Sequence, residues 1–225
     1  MYFSRIRLRT DRDTGTLARE LCHQDSYREH QILWQLFGDD PTSDRDFLFR
    51  RDDLNGWPQF YLVSQRRPDL SNGSWHVDWQ DYHPRLHNGQ RLAFSLRANP
   101  VITRKHPSGA RKRHDIVMDM KRQKGWNATQ ASDREPLYEL VQEAAHTWLA
   151  PRLEQRGAKL ESLHAEGYSQ HQNHKKGQTG SIRYSTLDLS GTLTLTDVEA
   201  FIETLYSGLG PAKAFGCGLL LVRRV

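Results

Sequence analysis

The sequence predicts an α+β protein made of two tandem ferredoxin-like (split β-α-β) domains. Three observations lead there. Side chains alternate with period two at the start of the chain, one long amphipathic helix lies past its middle, and strands and helices follow a similar order in both halves. The halves are expected at residues 1–88 and 89–225, each within the usual size of a domain.

Taken in order, Tyr2–Arg9 alternates Tyr2, Ser4, Ile6, Leu8 against Phe3, Arg5, Arg7, Arg9 and reads as a strand. Thr14–Leu21 reads as a short helix, with Leu17 and Leu21 one turn apart. A second helix is expected from Ser26, where Ser26 and Glu29 have capping-box spacing, to Phe37, where Gly38 stops it. Asp46–Arg50 and Gln59–Ser64 read as strands, the second after an Asn55-Gly56-Trp57-Pro58 turn, and Trp75–Trp79 as an edge strand. The first half is therefore β-α-β-β-(α-β).

The second half opens with a strand at Arg91–Arg97 that alternates Leu92, Phe94 and Leu96. A basic loop follows. Arg134–Arg156 is the clearest helix, because Leu137, Leu140, Val141, Ala144, Ala145 and Trp148 recur at three- and four-residue spacing. Pro151 is expected to kink or end it. Ser181–Leu195 reads as a long strand and Thr196–Ser207 as a helix capped by Thr196, with Glu199 three residues on. Leu219–Val222 reads as a buried strand, and with one more strand ahead of the turn that precedes Ser181–Leu195 the order is β-α-β-β-α-β.

Composition narrows the function classes. Charged residues at 26% and hydrophobic ones at 36% fit a chain that folds. No apolar run approaches the roughly 18–20 residues that span a bilayer, and the start lacks a signal-peptide core. The expectation is a cytoplasmic protein with no membrane partner. Cys22 and Cys217, the two cysteines, cannot build a disulfide framework or a Cys-rich zinc site.

Charge is unevenly placed. The chain carries +5, yet residues 97–126 alone carry +7, leaving −2 on the rest. Such a concentration, with Arg104, Lys105, Arg111, Lys112 and Arg113 at its heart, is the footprint of phosphate contacts. Pro100, Pro107 and Gly109 interrupt it, so a continuous membrane-surface helix is excluded.

Three constellations could carry chemistry. Tyr27 and His30 share one face of the Ser26 helix near its N-terminus, where a phosphate is favoured and an imidazole can exchange protons near neutral pH. The bland alternative is that His30 simply packs in the stripe His30, Leu33, Trp34, Phe37, and local pattern alone favours packing. The run from Gly208 through Gly210, Lys213 and Gly216 to Gly218 makes a loop whose backbone can approach a ligand, with Lys213 as the charge. It lacks the Walker A ending and follows a helix, unlike a Rossmann loop. Gln170–Arg183, with Lys175, Lys176 and Arg183, reads as a basic hairpin tip or a merely solvated one. His171-x-x-His174 and His83-x-x-x-His87 have ligand-like spacing but no third ligand nearby, so no metal or other cofactor is expected.

Together these segments resemble the CasE family of CRISPR-associated endoribonucleases from type I-E systems. The resemblance rests on Met1-Tyr-Phe-Ser4, Tyr27-Arg-Glu-His30-Gln-Ile-Leu-Trp34-Gln-Leu-Phe37, Arg45-Asp-Phe-Leu-Phe-Arg50, Arg97-Ala-Asn-Pro100 and Gly208-Leu-Gly-Pro-Ala-Lys-Ala-Phe-Gly-Cys-Gly-Leu-Leu220, in that order. It is loose over residues 51–90 and 105–180. It implies two ferredoxin-like domains, a glycine-rich loop that binds RNA, and Tyr27 and His30 as the catalytic pair. It further implies cleavage of the CRISPR transcript at the 3′ base of each repeat hairpin, without a metal. The expected partners are that hairpin, in precursor and guide RNA, and the other subunits of a Cascade complex, its backbone subunit above all. The rival from another class is a non-catalytic RNA-hairpin-binding subunit.

Overall fold

The structure, a computed structural model, describes residues 1–11, 14–22, 26–38, 46–69, 73–105, 109–174 and 181–225. In the first half, β1 (Tyr2–Leu8) is followed by α1 (Gly15–Cys22), α2 (Ser26–Trp34) and a 3₁₀ turn at Gln35–Phe37. Strands β2 (Phe47–Leu54), β3 (Trp57–Ser64) and β4 (Trp75–Asp81) complete one antiparallel sheet in the order β2-β3-β1-β4. The helices carry the chain from β1 across to β2, and β3 fills the gap between them, which is the split β-α-β arrangement. β4 lies at the edge, as the sequence predicts. No helix occurs between β3 and β4 among the described residues, so the parenthetical helix of the first half is absent there.

The second half contains β5 (Arg91–Ala98), the hairpin strands β6 (Val101–Lys105) and β7 (Arg111–Asp115), α3 (Ile116–Gln123) and α4 (Leu137–Glu154). It continues with the long strands β8 (Ala158–His174) and β9 (Ser181–Leu195), α5 (Val198–Ser207) and β10 (Leu220–Arg224). Its main sheet has the order β10-β5-β9-β8, again antiparallel throughout. The basic segment is thus not a plain loop. It forms a separate two-stranded sheet and then a helix, capped where Asp115 accepts from Met118 N.

Most element ends follow the sequence, with three corrections. Pro151 does not end α4, which runs three residues further to Glu154. Leu137, counted in its apolar stripe, is exposed, whereas Leu140, Val141, Ala144, Ala145, Trp148 and Leu149 are buried. The cap of α5 is Asp197, whose carboxylate accepts from Ala200 N, rather than Thr196.

The first sheet is buried on both faces. Phe47, Phe49, Phe60 and Leu62 point to α1 and α2, where they meet Leu21, Leu33 and Leu36. The alternate residues Leu48, Tyr61 and Val63, with Phe3, point the other way and pack on Leu219, Leu221, Tyr206 and Tyr82. Period two thus gives one face to the first domain's own core and the other to the seam between domains. Each aliphatic side chain fully buried in that seam contributes roughly 1.5–3 kcal/mol. Arg50 Nη1 donates to Ser95 Oγ across the seam at 2.6 Å, and Tyr206 OH to Tyr82 O at 3.0 Å.

Candidate active site and groove

Tyr27 and His30 lie on one face of α2, half-buried, as their spacing requires. The imidazole rests on an aromatic wall. Its ring stacks on Phe47 (5.4 Å, 23°), tilts against Phe49 (6.1 Å) and meets the edge of Trp34 (5.5 Å). The packing expected from the apolar stripe is thus present, and the wall that buries one side of His30 also fixes its orientation. Glu29 does not close a capping box. It is buried and accepts from Arg51 of β2, whose Nη1 also reaches Leu21 O at 2.7 Å and whose Nε reaches Asp53 at 2.8 Å. One guanidinium thus ties the end of α1, the middle of α2 and β2 together. Burial pushes the Glu29 carboxyl up from its ordinary value despite the opposing pull of Arg51.

The glycine-rich loop comes from the other domain and lies against this helix. The Phe215 ring, in a 3₁₀ turn at Lys213–Phe215, is 6.3 Å from that of Tyr27. Two glycines explain the close fit. A Cβ on Gly208 (φ +76°) would come within 2.8 Å of Gly218 O and 2.8 Å of Leu48 Cδ1; one on Gly216 (φ +74°) would come within 3.2 Å of Phe49. Here the loop's lack of side chains serves domain docking. Gly210 sits against Trp148 of α4, and Gly218 against Leu209 within the loop. Lys213, expected to supply charge at the site, donates its Nζ to Ser207 O at the end of α5, at 2.5 Å. That is favourable pairing for a helix C-terminus, and it turns the ammonium toward α5.

The basic hairpin sorts its cations by face. Cross-strand partners share a side, so Lys105 pairs with Arg111, Thr103 with Arg113, and Arg104 with Lys112 on the opposite side. Arg104 is held by Asp119 of α3 at 3.1 and 2.7 Å, and the same carboxylate, 3% exposed, accepts from Arg122 and Gln123. Burial alone would raise its pKa, but Arg104 and its neighbours hold it below the ordinary value. Arg104 is therefore tied to a buried carboxylate, although its own side chain stays 45% exposed. Lys105, Arg111, Lys112 and Arg113 are exposed.

Arg113 joins Arg183 of β9 and the loop residues Pro211 and Ala212 around one groove of about 800 Å³. Three segments remote in sequence (hairpin, long strand pair, glycine-rich loop) thus converge beside α2. Lys175 and Lys176 lie outside the described residues, as does Arg45. Of the metal-spaced histidines, His171 bonds Thr186 Oγ1 at 2.8 Å, and no group of three His, Cys, Asp or Glu comes together among the described residues. No described helix is long and apolar enough to cross a membrane. Sequence reasoning missed the Glu29–Arg51 tie and the ring row of His171, Tyr184 and Phe215. Phe215 inside a glycine-rich loop was the available signal for the latter.

Fold and site together define a tandem ferredoxin-like protein whose C-terminal glycine-rich loop docks on an N-terminal helix. Residues 1–224 match a family described as "CRISPR associated protein". The chain is 30% identical over 200 residues to the Cascade subunit CasE of Escherichia coli, covering 88% of this chain and 91% of that protein. It is therefore a member of the CRISPR-associated CasE family. The crystal structure of Cas6e from E. coli superposes over the full length of both chains with a TM-score of 0.65 at 25% identity. A further relative, the CRISPR-associated endoribonuclease Cse3 of Thermus thermophilus, is 27% identical over 146 residues, 63% of this chain and 59% of that one.

Proposed function

We propose that this chain is a cytoplasmic endoribonuclease that cuts CRISPR repeat RNA at the 3′ base of its hairpin and stays bound to the guide RNA inside a Cascade complex. The observation that carries this is the placing of Tyr27 and His30 on one helix face, braced from both domains, beside a groove lined by Arg113 and Arg183. The names of the E. coli and Thermus relatives agree with it.

RNA brings its own nucleophile. The 2′-oxygen attacks the adjacent phosphorus, the bond from phosphorus to the 5′-oxygen breaks, and the products carry a 2′,3′-cyclic phosphate and a 5′-hydroxyl. One proton leaves the 2′-OH and one reaches the departing 5′-oxygen. His30 transfers one of these protons, Tyr27 orients the ribose or phosphate, and exposed guanidiniums balance the charge of the transition state. No metal is needed for any of these steps.

The aromatic packing of His30 supports one rival, a non-catalytic hairpin-binding subunit in which both side chains are structural. Incubation with the CRISPR repeat of the source genome separates the two. Wild type should yield 2′,3′-cyclic phosphate ends. His30→Ala should reduce cleavage by at least about a hundredfold while hairpin affinity stays near wild type. Full activity of His30→Ala, or cleavage of a repeat with a 2′-deoxy scissile nucleotide, would overturn the mechanism.

A further inference from the structure

We propose that the open end of the first sheet, around Trp57 and Leu54, is the face on which this chain docks a protein subunit of the Cascade complex. This rests on the Cascade membership proposed above and adds where on the molecule that contact is made.

The face follows from strand register. Arg7 lies opposite Gln59 of β3 and His76 of β4, and Leu54 lies opposite Trp57. Counted in twos along each strand, these residues share the side of the sheet that carries Phe3, Leu48, Tyr61 and Val63. The second domain packs on that side at its Phe3 and Val63 end. At the other end Leu54 is 53% exposed and Trp57 50%. They flank the turn Asn55-Gly56, both residues at positive φ, and with Pro58 they border a hollow of about 530 Å³. Trp57 makes no ring or cation–π contact among the described residues, so its ring stays open to a partner. Two adjacent large apolar side chains at the lip of a hollow are the kind of exposed patch that marks an interaction surface.

The charge of the patch favours a protein over RNA. Arg9 is held by Asp11 at 2.9 Å, and Arg5 and Arg7 share Asp78 at 2.8 and 3.0 Å. Three arginines against two carboxylates leave +1. That is a weak field for a phosphate backbone, which is drawn instead to the groove of Arg113 and Arg183. Tryptophan and arginine, with lysine and acids scarce, are what the centre of a protein interface is made of, and they carry much of its binding energy. Arg7, its side chain 38% exposed, has guanidinium donors that Asp78 does not take. The fitting partner segment brings an apolar side chain to Trp57 and Leu54, and a carboxylate or backbone carbonyl to Arg7.

The patch also lies apart from the chemistry. Leu54 is five residues beyond Phe49 on β2, roughly 17 Å along the strand. It points to the opposite side of the sheet from the Phe49 ring that meets His30. A subunit seated there leaves the His30 side of the sheet clear.

The test compares dissociation of this chain from a bare repeat hairpin and from the same hairpin held by the other Cascade subunits of the source genome. Wild type should leave the assembled complex at least about thirtyfold more slowly. Trp57→Glu and Leu54→Asp should leave both at the bare-hairpin rate and cleave repeat RNA like wild type. Hydrogen exchange of wild type should slow at the 54–57 turn in the complex and not on the bare hairpin. Variants that leave the complex as slowly as wild type, or no slowing at the turn, overturn the docking face and leave the Cascade membership standing. Equal rates for wild type remove the protein contact itself, and the docking face with it, while cleavage keeps the nuclease assignment. Faster loss of both variants from the bare hairpin gives the patch to RNA, and a dimer of the isolated chain that Trp57→Glu dissociates gives it to a second copy; either overturns the proposal. Failure of wild type to bind or cleave the hairpin overturns the proposed function and the docking face together.

Discussion

Replacing Arg51 with Met removes the guanidinium that ties α1, α2 and β2 together, and the structure sets the size of the effect. The Glu29 side chain is 4% exposed and that of Arg51 11%. Arg51→Met strands a buried carboxylate and deprives Leu21 O of its donor. Breaking a buried pair by removing one partner costs about 3–5 kcal/mol. For a chain of this size that lowers Tm by roughly 6–20 °C. Differential scanning calorimetry of Arg51→Met, Glu29→Leu and the double variant checks it. The double variant should recover most of the loss, because no charge is left in the apolar site. The deficit should also depend on pH. The Glu29 carboxyl is already raised above its ordinary 4.5 by burial, and losing Arg51 raises it further. A carboxyl raised in the folded state stabilises below its unfolded value and loses that contribution as pH rises through the folded value. The deficit should therefore be smallest below pH 4.5, the ordinary value of the Glu29 carboxyl, and widen toward neutrality. A Tm loss under about 3 °C, or a double variant no more stable than Arg51→Met, would refute the reasoning.

Three other outcomes are expected. Arg113→Glu should weaken RNA binding and reduce its salt slope by roughly one, whereas Lys112→Glu, on the opposite hairpin face, should do less; titrations at several salt concentrations read this directly. Gly208→Ala should cost roughly 2–5 kcal/mol in urea denaturation, from left-handed strain plus the clash with Leu48. Gly89→Ala, at φ +80° with open space around it, should cost only the strain, so equal losses would deny the close approach. Cleavage of repeat RNA should persist in EDTA, and strong inhibition by the chelator would point to a metal.

Elements that bury one face against a core are legible in the sequence, because burial imposes a period. The stripe of α4 and the alternation of β9 from Leu187 to Leu195 reveal both elements. The β6–β7 hairpin looks like a loop in sequence because Arg104, Lys105, Arg111, Lys112 and Arg113 are exposed on both faces, so no apolar alternation marks it. The capping box fails for a different reason. Glu29 has the right spacing, but Arg51, 22 residues away in sequence, competes for its carboxylate. The same distinction holds at the site. The pairing of Tyr27 with His30 is a local, i to i+3 relation and can be read directly. The row joining Tyr27 to Phe215, Tyr184 and His171 exists only once the two domains have docked, and no spacing rule reports it.

The docking of the glycine-rich loop on Leu48, Phe49 and Tyr27 also sets an order of events during synthesis. A ribosome that has released the first domain has already made His30 and its aromatic wall, yet the Phe215 that completes the surroundings of Tyr27 is still unmade. The surroundings of Tyr27 are therefore completed only by the Gly208–Gly218 loop, which is made long after α2.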